Sequence, residues 1–247
     1  MIESLSNSLI KHASSLKEKK YRNIHCEFLA EGSRLVNDLI EFDFDSIVNI
    51  YATEKSVSIL KNTAKINIVS DNVMKKLSET DASQDIVAVV KKKKTITIDA
   101  LISKCKNILY LDRISDPSNL GTIVRTAVAA NYALILHNCT DIYAGKVVRG
   151  GMGAITKADF CEADLSTIQT LRQHNYTILS SCMNGKNVFE MKKIFPVCIV
   201  IGSEAHGVDS QIISLSDEVI SIPMANKLES LNASVAAGIL AYHFVKF

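Results

Sequence analysis

From residue 108 onward, strand-sized apolar runs alternate with helix-patterned stretches, and this alternation limits the possible folds more than any other feature of the chain. Runs at residues 108–111, 133–137, 176–180 and 197–201 are short enough for strands, and Val197-Cys198-Ile199-Val200-Ile201 is apolar throughout, as a strand buried on both faces must be. Helical patterns fall between them: Ile123, Val124, Ala127 and Val128 share one stretch, and residues 165–173 and 209–215 form two others. The alternation predicts an α/β domain with a mainly parallel sheet covered on both sides. A further run at 218–222 stops at Pro223, and Ser230-Leu231-Asn232 then leads into an Ala-rich helical segment.

Residues 3–90 read as a smaller α/β domain. Leu5, Leu9, Ala13 and Leu16 recur at helical spacing, Phe28-Leu29-Ala30 is strand-like, and a Gly32-Ser33 break opens an amphipathic stretch with Leu35, Val36, Leu39 and Ile40. Strands are expected at 46–52, 66–69 and 86–90, separated by polar or helical pieces near 57–61 and 73–77. The lysine run Lys91-Lys92-Lys93-Lys94 closes this part, which sets the domains at 1–94 and 95–247.

With 247 residues and 47% hydrophobic content the chain can bury a full core. Its first 22 residues are polar and Lys-rich without a sustained apolar run, so neither a signal peptide nor a membrane span is expected there. Cysteines at 26, 105, 139, 161, 182 and 198 show no C-x-x-C spacing; no metal site and no disulfide scaffold are expected, and a reducing, cytoplasmic setting fits. A net charge of +2 argues against nucleic-acid binding by bulk charge. Any such binding must use local clusters, of which Lys17-Glu18-Lys19-Lys20-Tyr21-Arg22 and the four lysines at 91–94 are two; each also suits a plain solvated face.

Three segments carry residue types suited to a ligand crevice. The run at 197–201 ends in Gly202-Ser203-Glu204-Ala205-His206-Gly207, placing glycines, a hydroxyl and a carboxylate at the carboxyl end of a strand. Ser230 and Asn232 are helix-capping types at the head of the last helix, where unpaired N–H groups gather. Asn119 stands near the start of a helix, Gly121 permits close backbone approach, and Arg125 follows; an arginine early in a helix is poorly placed for the dipole and asks for a carboxylate or phosphate. No G-x-G-x-x-G follows the strand at 108–111, and Gly150-Gly151-Met152-Gly153 lacks the spacing and ending of a Walker loop, which disfavours a nucleotide-dependent metabolic enzyme.

Taken together, Asn119-x-Gly121-x-x-x-Arg125-x-Ala127, Ile201-Gly202-Ser203-Glu204-x-x-Gly207 and Ile222-Pro223-Met224 through Ser230-Leu231-Asn232 to Ala236 resemble, in order and spacing, the three motifs of the SpoU family of RNA ribose 2′-O-methyltransferases, within the SPOUT superfamily. The likeness extends through Val147 to Ala154 and back to Phe28-Leu29-Ala30-Glu31-Gly32-Ser33-Arg34, which is similar to the ribosomal-protein-like RNA-binding domain that many such enzymes carry. Ala205, Asn226 and Gly151 stand where that family more often has Gly, Gly and Ser.

The resemblance implies a C-terminal trefoil knot, S-adenosylmethionine as cofactor, and a homodimer with active sites at the subunit interface. It places Gly202, Ile222 and Leu231 at the cofactor and Arg125, Asn119, Glu204, Ser230 and Asn232 in catalysis. Lys19, Lys20, Arg22 and Arg34 become candidates for RNA contact. The reaction it implies is attack of a ribose 2′-hydroxyl on a sulfonium methyl, during which the hydroxyl loses its proton. A guanidinium has a pKa above about 12, so Arg125 is expected to anchor a phosphate and stabilise charge on the 2′-oxygen, and acts as base only if its surroundings lower that pKa strongly. The appended N-terminal domain favours ribosomal over transfer RNA. A catalytically idle RNA-binding protein of the same fold and a transfer RNA 2′-O-methyltransferase are the alternative readings.

Overall fold

The computed structural model of the chain describes residues 1–62, 64–80, 85–104, 106–226 and 230–245. Cys105 and residues 227–229 of the expected turn before Ser230 lie outside the described residues. The chain forms two compact units, the first made of Met1–Lys93 with Asp141–Thr156 and the second of Lys94–Thr140 with Lys157–Phe247. A division at residue 94 does not foresee that residues 141–156 belong with the first unit.

In the first unit, α1 (Ser8–Ser15) and α2 (Lys19–His25) precede β1 (Glu27–Glu31), α3 (Ser33–Phe42), β2 (Ile47–Ala52), β3 (Ile66–Ile68), α4 (Asp71–Leu77) and β4 (Ile86–Lys91). The sheet order is β1-β4-β2-β3, with β4 antiparallel to both neighbours and β2 parallel to β3. One face packs Leu29, Tyr51, Val87 and Val89 against Ile10 and Ala13 of α1 and Val73, Met74 and Leu77 of α4. The buried stripe of α1 is Ile10, Ala13 and, just past its end, Leu16, while Leu5 and Leu9 are exposed. The expected stripe began too early because Asn7 caps the helix, its side chain accepting from the Leu9 N–H at 2.9 Å, so Leu5 lies outside it.

In the second unit, α5 (Ile98–Ile102), β5 (Ile108–Asp112), α6 (Pro117–Ala129) and β6 (Ala133–His137) come first. The chain then supplies Asp141–Thr156, including α7 (Gly145–Gly150), to the first unit. It continues through β7 (Phe160–Glu162), α8 (Ser166–Gln173), β8 (Thr177–Asn187), β9 (Val197–Gly202), α9 (Ser210–Leu215), β10 (Glu218–Ser221) and α10 (Ala233–Phe244). The strand order is β10-β8-β9-β5-β6-β7 and every pairing is parallel. The expected parallel α/β architecture is therefore present; β7, a strand of three residues, is too short for its pattern to stand out in sequence.

Alternation along the strands divides the core. Ile108, Tyr110, Ile135, Ile178, Cys198 and Val200 share a cluster with Ile168 and Leu171 of α8 and Ile212 of α9. The intervening Leu109, Leu111, Ile199 and Ile201, equally buried, face the other way, where α10 packs on β9 and against α6. Buried polar groups fix the end of α10: Asn107 Nδ2 donates to the Phe244 carbonyl at 3.2 Å, and the Tyr132 hydroxyl donates to the Ala241 carbonyl at 3.0 Å. α6 starts where Asp116 accepts from the Ser118 N–H at 2.6 Å and Pro117 occupies the first turn, a pairing of cap and preset φ that stabilises a helix start.

Candidate active site

The carboxyl ends of β8, β9 and β10 and the segment leading into α10 surround a cavity of about 580 Å³. It is lined by all three residues expected at a cofactor, Gly202, Ile222 and Leu231, together with Glu204 and Ser230. Gly202 is required by packing: a Cβ there would collide with the backbone of Gly207 and Val208, because the loop after β9 folds straight back on the strand. That return is held by the Gly207 N–H donating to the Ser203 carbonyl at 2.8 Å, with Gly207 in the left-handed region at φ +65°.

At one side of the cavity Glu204 joins two amides from distant elements. Asn119, in the first turn of α6 and buried, donates through Nδ2 to Glu204 Oε1 at 2.7 Å. Asn232 donates through Nδ2 to the same oxygen at 2.8 Å and to Asn119 Oδ1 at 2.9 Å. The other end of the Asn232 amide caps α10, Oδ1 accepting from the Ser234 and Val235 N–H groups at 2.9 and 3.3 Å. One side chain thus starts the last helix and fixes the orientation of Glu204. Ser230, expected as a second cap, instead lies exposed two residues before the cap and lines the cavity.

Arg125 is not part of this cluster. It is exposed on α6, and six residues along an α-helix turn it about 120° away from Asn119 around the axis. Among the described residues its side chain has no ion pair or hydrogen bond, so its charge is available to an outside group.

The four basic residues expected at RNA all belong to the first unit, and one of them is corrected. Lys19 and Lys20 on α2 and Arg34 at the start of α3 are exposed. Arg22 is buried: Nε and Nη2 donate to Asp141 Oδ2 at 2.9 and 2.6 Å, and Nη1 donates to the Leu16 and Lys17 carbonyls at 2.9 and 2.7 Å. Its guanidinium is enclosed by internal acceptors and presents nothing to a phosphate. Nothing in its spacing within the basic cluster marked it as different from Lys19 and Lys20.

Sequence reasoning also missed two parts of the site. β8 runs on to Asn187, so that Ser181, Cys182, Met183 and Asn184 line the cavity. The lone Gly185 was the available signal, since a Cβ there would meet the Ile220 backbone of the neighbouring strand. Burial pushes the Cys182 thiol above its usual range, which keeps it neutral at physiological pH. The second, Asp112, does not line the cavity but supports it, fully buried at the end of β5 directly beside Gly202. It meets Arg113 Nε and Nη2 at 3.1 and 2.9 Å, His137 Nδ1 at 2.9 Å and the Asp209 N–H at 2.9 Å.

The chain is similar to known proteins over nearly its whole length. A model of the SpoU rRNA Methylase family matches residues 106–242, and one described as an MRM3-like substrate binding domain matches residues 7–88. The 23S rRNA (guanosine(2553)-2′-O)-methyltransferase RlmP of Bacillus subtilis is 28% identical over 98% of both chains. An uncharacterized tRNA/rRNA methyltransferase of Mycoplasma genitalium, MG252, is 31% identical over 91% of this chain and 98% of its own. Among solved structures, an AdoMet-bound rRNA methyltransferase from Sinorhizobium meliloti superposes with a TM-score of 0.86 at 25% identity, covering 98% of this chain and 96% of that one.

Proposed function

Because this chain belongs to the SpoU rRNA methylase family, we propose that it transfers a methyl group from S-adenosylmethionine to a ribose 2′-hydroxyl of RNA, with ribosomal RNA the preferred class. The observation that carries the reading is the position of the Glu204–Asn119–Asn232 cluster at a cavity lined by Gly202, Ile222 and Leu231. The cavity suits such a cofactor chemically. Its walls are strand ends and loops that mix apolar side chains such as Met183, Ile222 and Leu231 with polar ones such as Asn184, Ser203 and Glu204, and a sulfonium nucleoside carries no phosphate that would call for a glycine-rich cradle.

When bound, the cofactor supplies an electrophilic methyl. Gly202, Ile222 and Leu231 would hold it, the first by leaving backbone groups accessible where no side chain fits. Glu204, fixed by its two amide donors, and Ser230 would orient the incoming ribose from the same wall. Arg125 would anchor a substrate phosphate and stabilise the developing charge on the 2′-oxygen. Since Arg125 points away from Asn119 within one chain, we place its action in a homodimer. α10 carries no Asp, Glu, Lys or Arg and leaves Val235 49% and Tyr242 48% exposed beside α6, an apolar surface suited to a second copy. A C-terminal trefoil knot and a cytoplasmic location complete the proposal; among the described residues no helix is long and apolar enough to cross a membrane. The first unit, residues 1–94 in the sequence reading, would be the RNA substrate-binding domain.

The test is transfer of labelled methyl from S-adenosylmethionine to unmodified ribosomal and transfer RNA, followed by nucleoside analysis. The reading expects a 2′-O-methylated nucleoside, principally in ribosomal RNA. Methyl transfer to a base would overturn it, as would failure of the protein to take up the cofactor.

A further inference from the structure

α2 is a helix of seven residues that turns only Arg22 fully inward, leaving Lys19, Lys20, Asn23, Ile24 and His25 exposed. Tyr21 and His25, one turn apart, hold their rings parallel to within 15° at a centroid separation of 6.4 Å. His12 of α1 packs edge-on against His25, at 4.5 Å and 77°, and is itself held by the Glu27 carboxylate at 2.7 Å. Lys20 places its ammonium 5.7 Å from the centre of the Tyr21 ring. From β4, Lys92 donates to Asn23 Oδ1 at 2.7 Å, and Lys91 stands opposite Glu27 in the strand register.

As a helix surface pair, Tyr21 and His25 would add only a few tenths of a kcal/mol. That does not account for two rings kept parallel and buttressed by a third, with the Lys20 ammonium beside one of them and Lys19 exposed on the same helix, while Glu27 is already engaged by His12. Parallel rings beside ammonium groups match the two chemical features of an unpaired polynucleotide strand: flat bases and a phosphate every nucleotide. A base in a duplex has both faces covered and cannot use such rings. We propose that the Tyr21–His25 face of α2 is a stacking site for unpaired bases of the RNA substrate, with Lys19, Lys20 and Lys91 holding the adjoining phosphates. This rests on the RNA methyltransferase reading and names the part of the first unit that meets the RNA.

The test uses the full chain and a labelled 12-nucleotide single-stranded RNA, with its duplex as control, followed by fluorescence anisotropy. Tyr21→Ala with His25→Ala is expected to weaken single-strand binding about tenfold or more and duplex binding less than about twofold. Tyr21→Phe with His25→Phe should restore it. Should the double alanine variant unfold, His25→Ala alone, at an exposed position, gives the same direction with a smaller loss. Lys19→Ala and Lys20→Ala should each reduce the slope of log affinity against log salt by about 0.7 on the single strand. Wild-type single-strand binding in the alanine variant, or an equal loss on duplex and single strand, would overturn the stacking site. Absence of methyl transfer by a wild-type protein that shows this binding pattern would strike the enzymatic reading alone.

Discussion

Asp112, buried at the end of β5, accepts a 2.9 Å hydrogen bond from the backbone N–H of Asp209, which caps α9 just beyond the loop that follows β9. In the strand register Asp112 lies directly beside Gly202, so this bond closes the Gly202–Asp209 excursion at both ends. Arg113, held at φ +58°, forks onto the same carboxylate and approaches Asp209 Oδ2 at 3.5 Å. A left-handed arginine costs on the order of 1 kcal/mol, and its bonds to Asp112 offset that. Asp112→Ala should remove the partner of a half-buried guanidinium and of His137, lowering stability by about 3 kcal/mol or more by chemical denaturation. Asp112→Asn should fold and bind S-adenosylmethionine about tenfold more weakly by calorimetry, because its amide cannot accept all of those bonds. Unchanged cofactor affinity in Asp112→Asn would show that the loop holds its shape without this anchor.

Arg125 presents the opposite case, a charge without a partner among the described residues. Arg125→Ala should therefore leave stability within about 0.5 kcal/mol and cofactor affinity within about twofold, while methyl transfer falls below detection. Kinetics and calorimetry on one preparation decide this. A comparable loss of cofactor binding would move Arg125 from the substrate to the cofactor.

The sequence was legible where one face of an element is uniformly apolar or a motif is contiguous. The run at 133–137 coincides with β6, and the crossovers between apolar runs gave the parallel sheet. What could not be read depends on groups far apart in the chain. Arg22 looks like its basic neighbours until Asp141, 119 residues on, is seen beside it. The outer half of β8 carries Asn184-Gly185-Lys186 and no strand pattern; its pairing with β10 after a register shift, not its propensity, makes it a strand. The Glu204 cluster was half visible, since Asn119, Glu204 and Asn232 were singled out, but nothing local showed that both amides meet one carboxylate oxygen.

Arg22 and Asp141 form a nearly enclosed ion pair, with side chains 6% and 11% exposed. Arg22→Ala would strand a buried carboxylate and leave the Leu16 and Lys17 carbonyls without their donor, so the first unit should lose about 3–5 kcal/mol in urea unfolding. Lys19→Ala, one turn earlier and exposed, should change stability by less than about 0.5 kcal/mol. Equal, small effects at both positions would mean that Arg22 is not the internal fixture its bonds describe.

Alkaline pH should unfold the protein from below the usual tyrosine range. Burial raises Cys139 and Cys161 to about 11 and Tyr51 and Tyr132 to about 12, from ordinary values of 9.0 and 10.0. Each group binds its proton more tightly when folded, so its contribution is fully present below the unfolded pKa and is lost as pH rises toward the folded one. The thermal midpoint should stay level to about pH 9 and then fall through pH 9–12. Cys161→Ala should make the first part of that descent shallower, as read by circular dichroism melts across the range; a descent already under way at pH 8 would require a different titrating group.

Glu204 separates charge from shape at the active site. Its Oε1 already accepts from Asn119 and Asn232, so Glu204→Gln can keep both bonds through its amide oxygen while removing the negative charge. Glu204→Ala would instead leave the buried Asn119 amide without its acceptor, at a cost of about 1–3 kcal/mol, and would leave Asn232 Nδ2 with Asn119 Oδ1 as its remaining acceptor. If Glu204 serves mainly to fix the two asparagines, Glu204→Gln should retain methyl transfer within about threefold and Glu204→Ala should lose it together with stability. If its charge acts on the ribose, kcat should fall at least about tenfold in Glu204→Gln while cofactor affinity and the thermal midpoint stay at wild-type values. The second pattern is the one expected, because Glu204 is exposed and lines the cavity, and both amide donors bond Oε1, so that Oε2 has no hydrogen bond among the described residues. Paired kinetics and melts on the two variants distinguish the patterns, and near-wild-type turnover in Glu204→Gln would reassign the residue from catalysis to positioning.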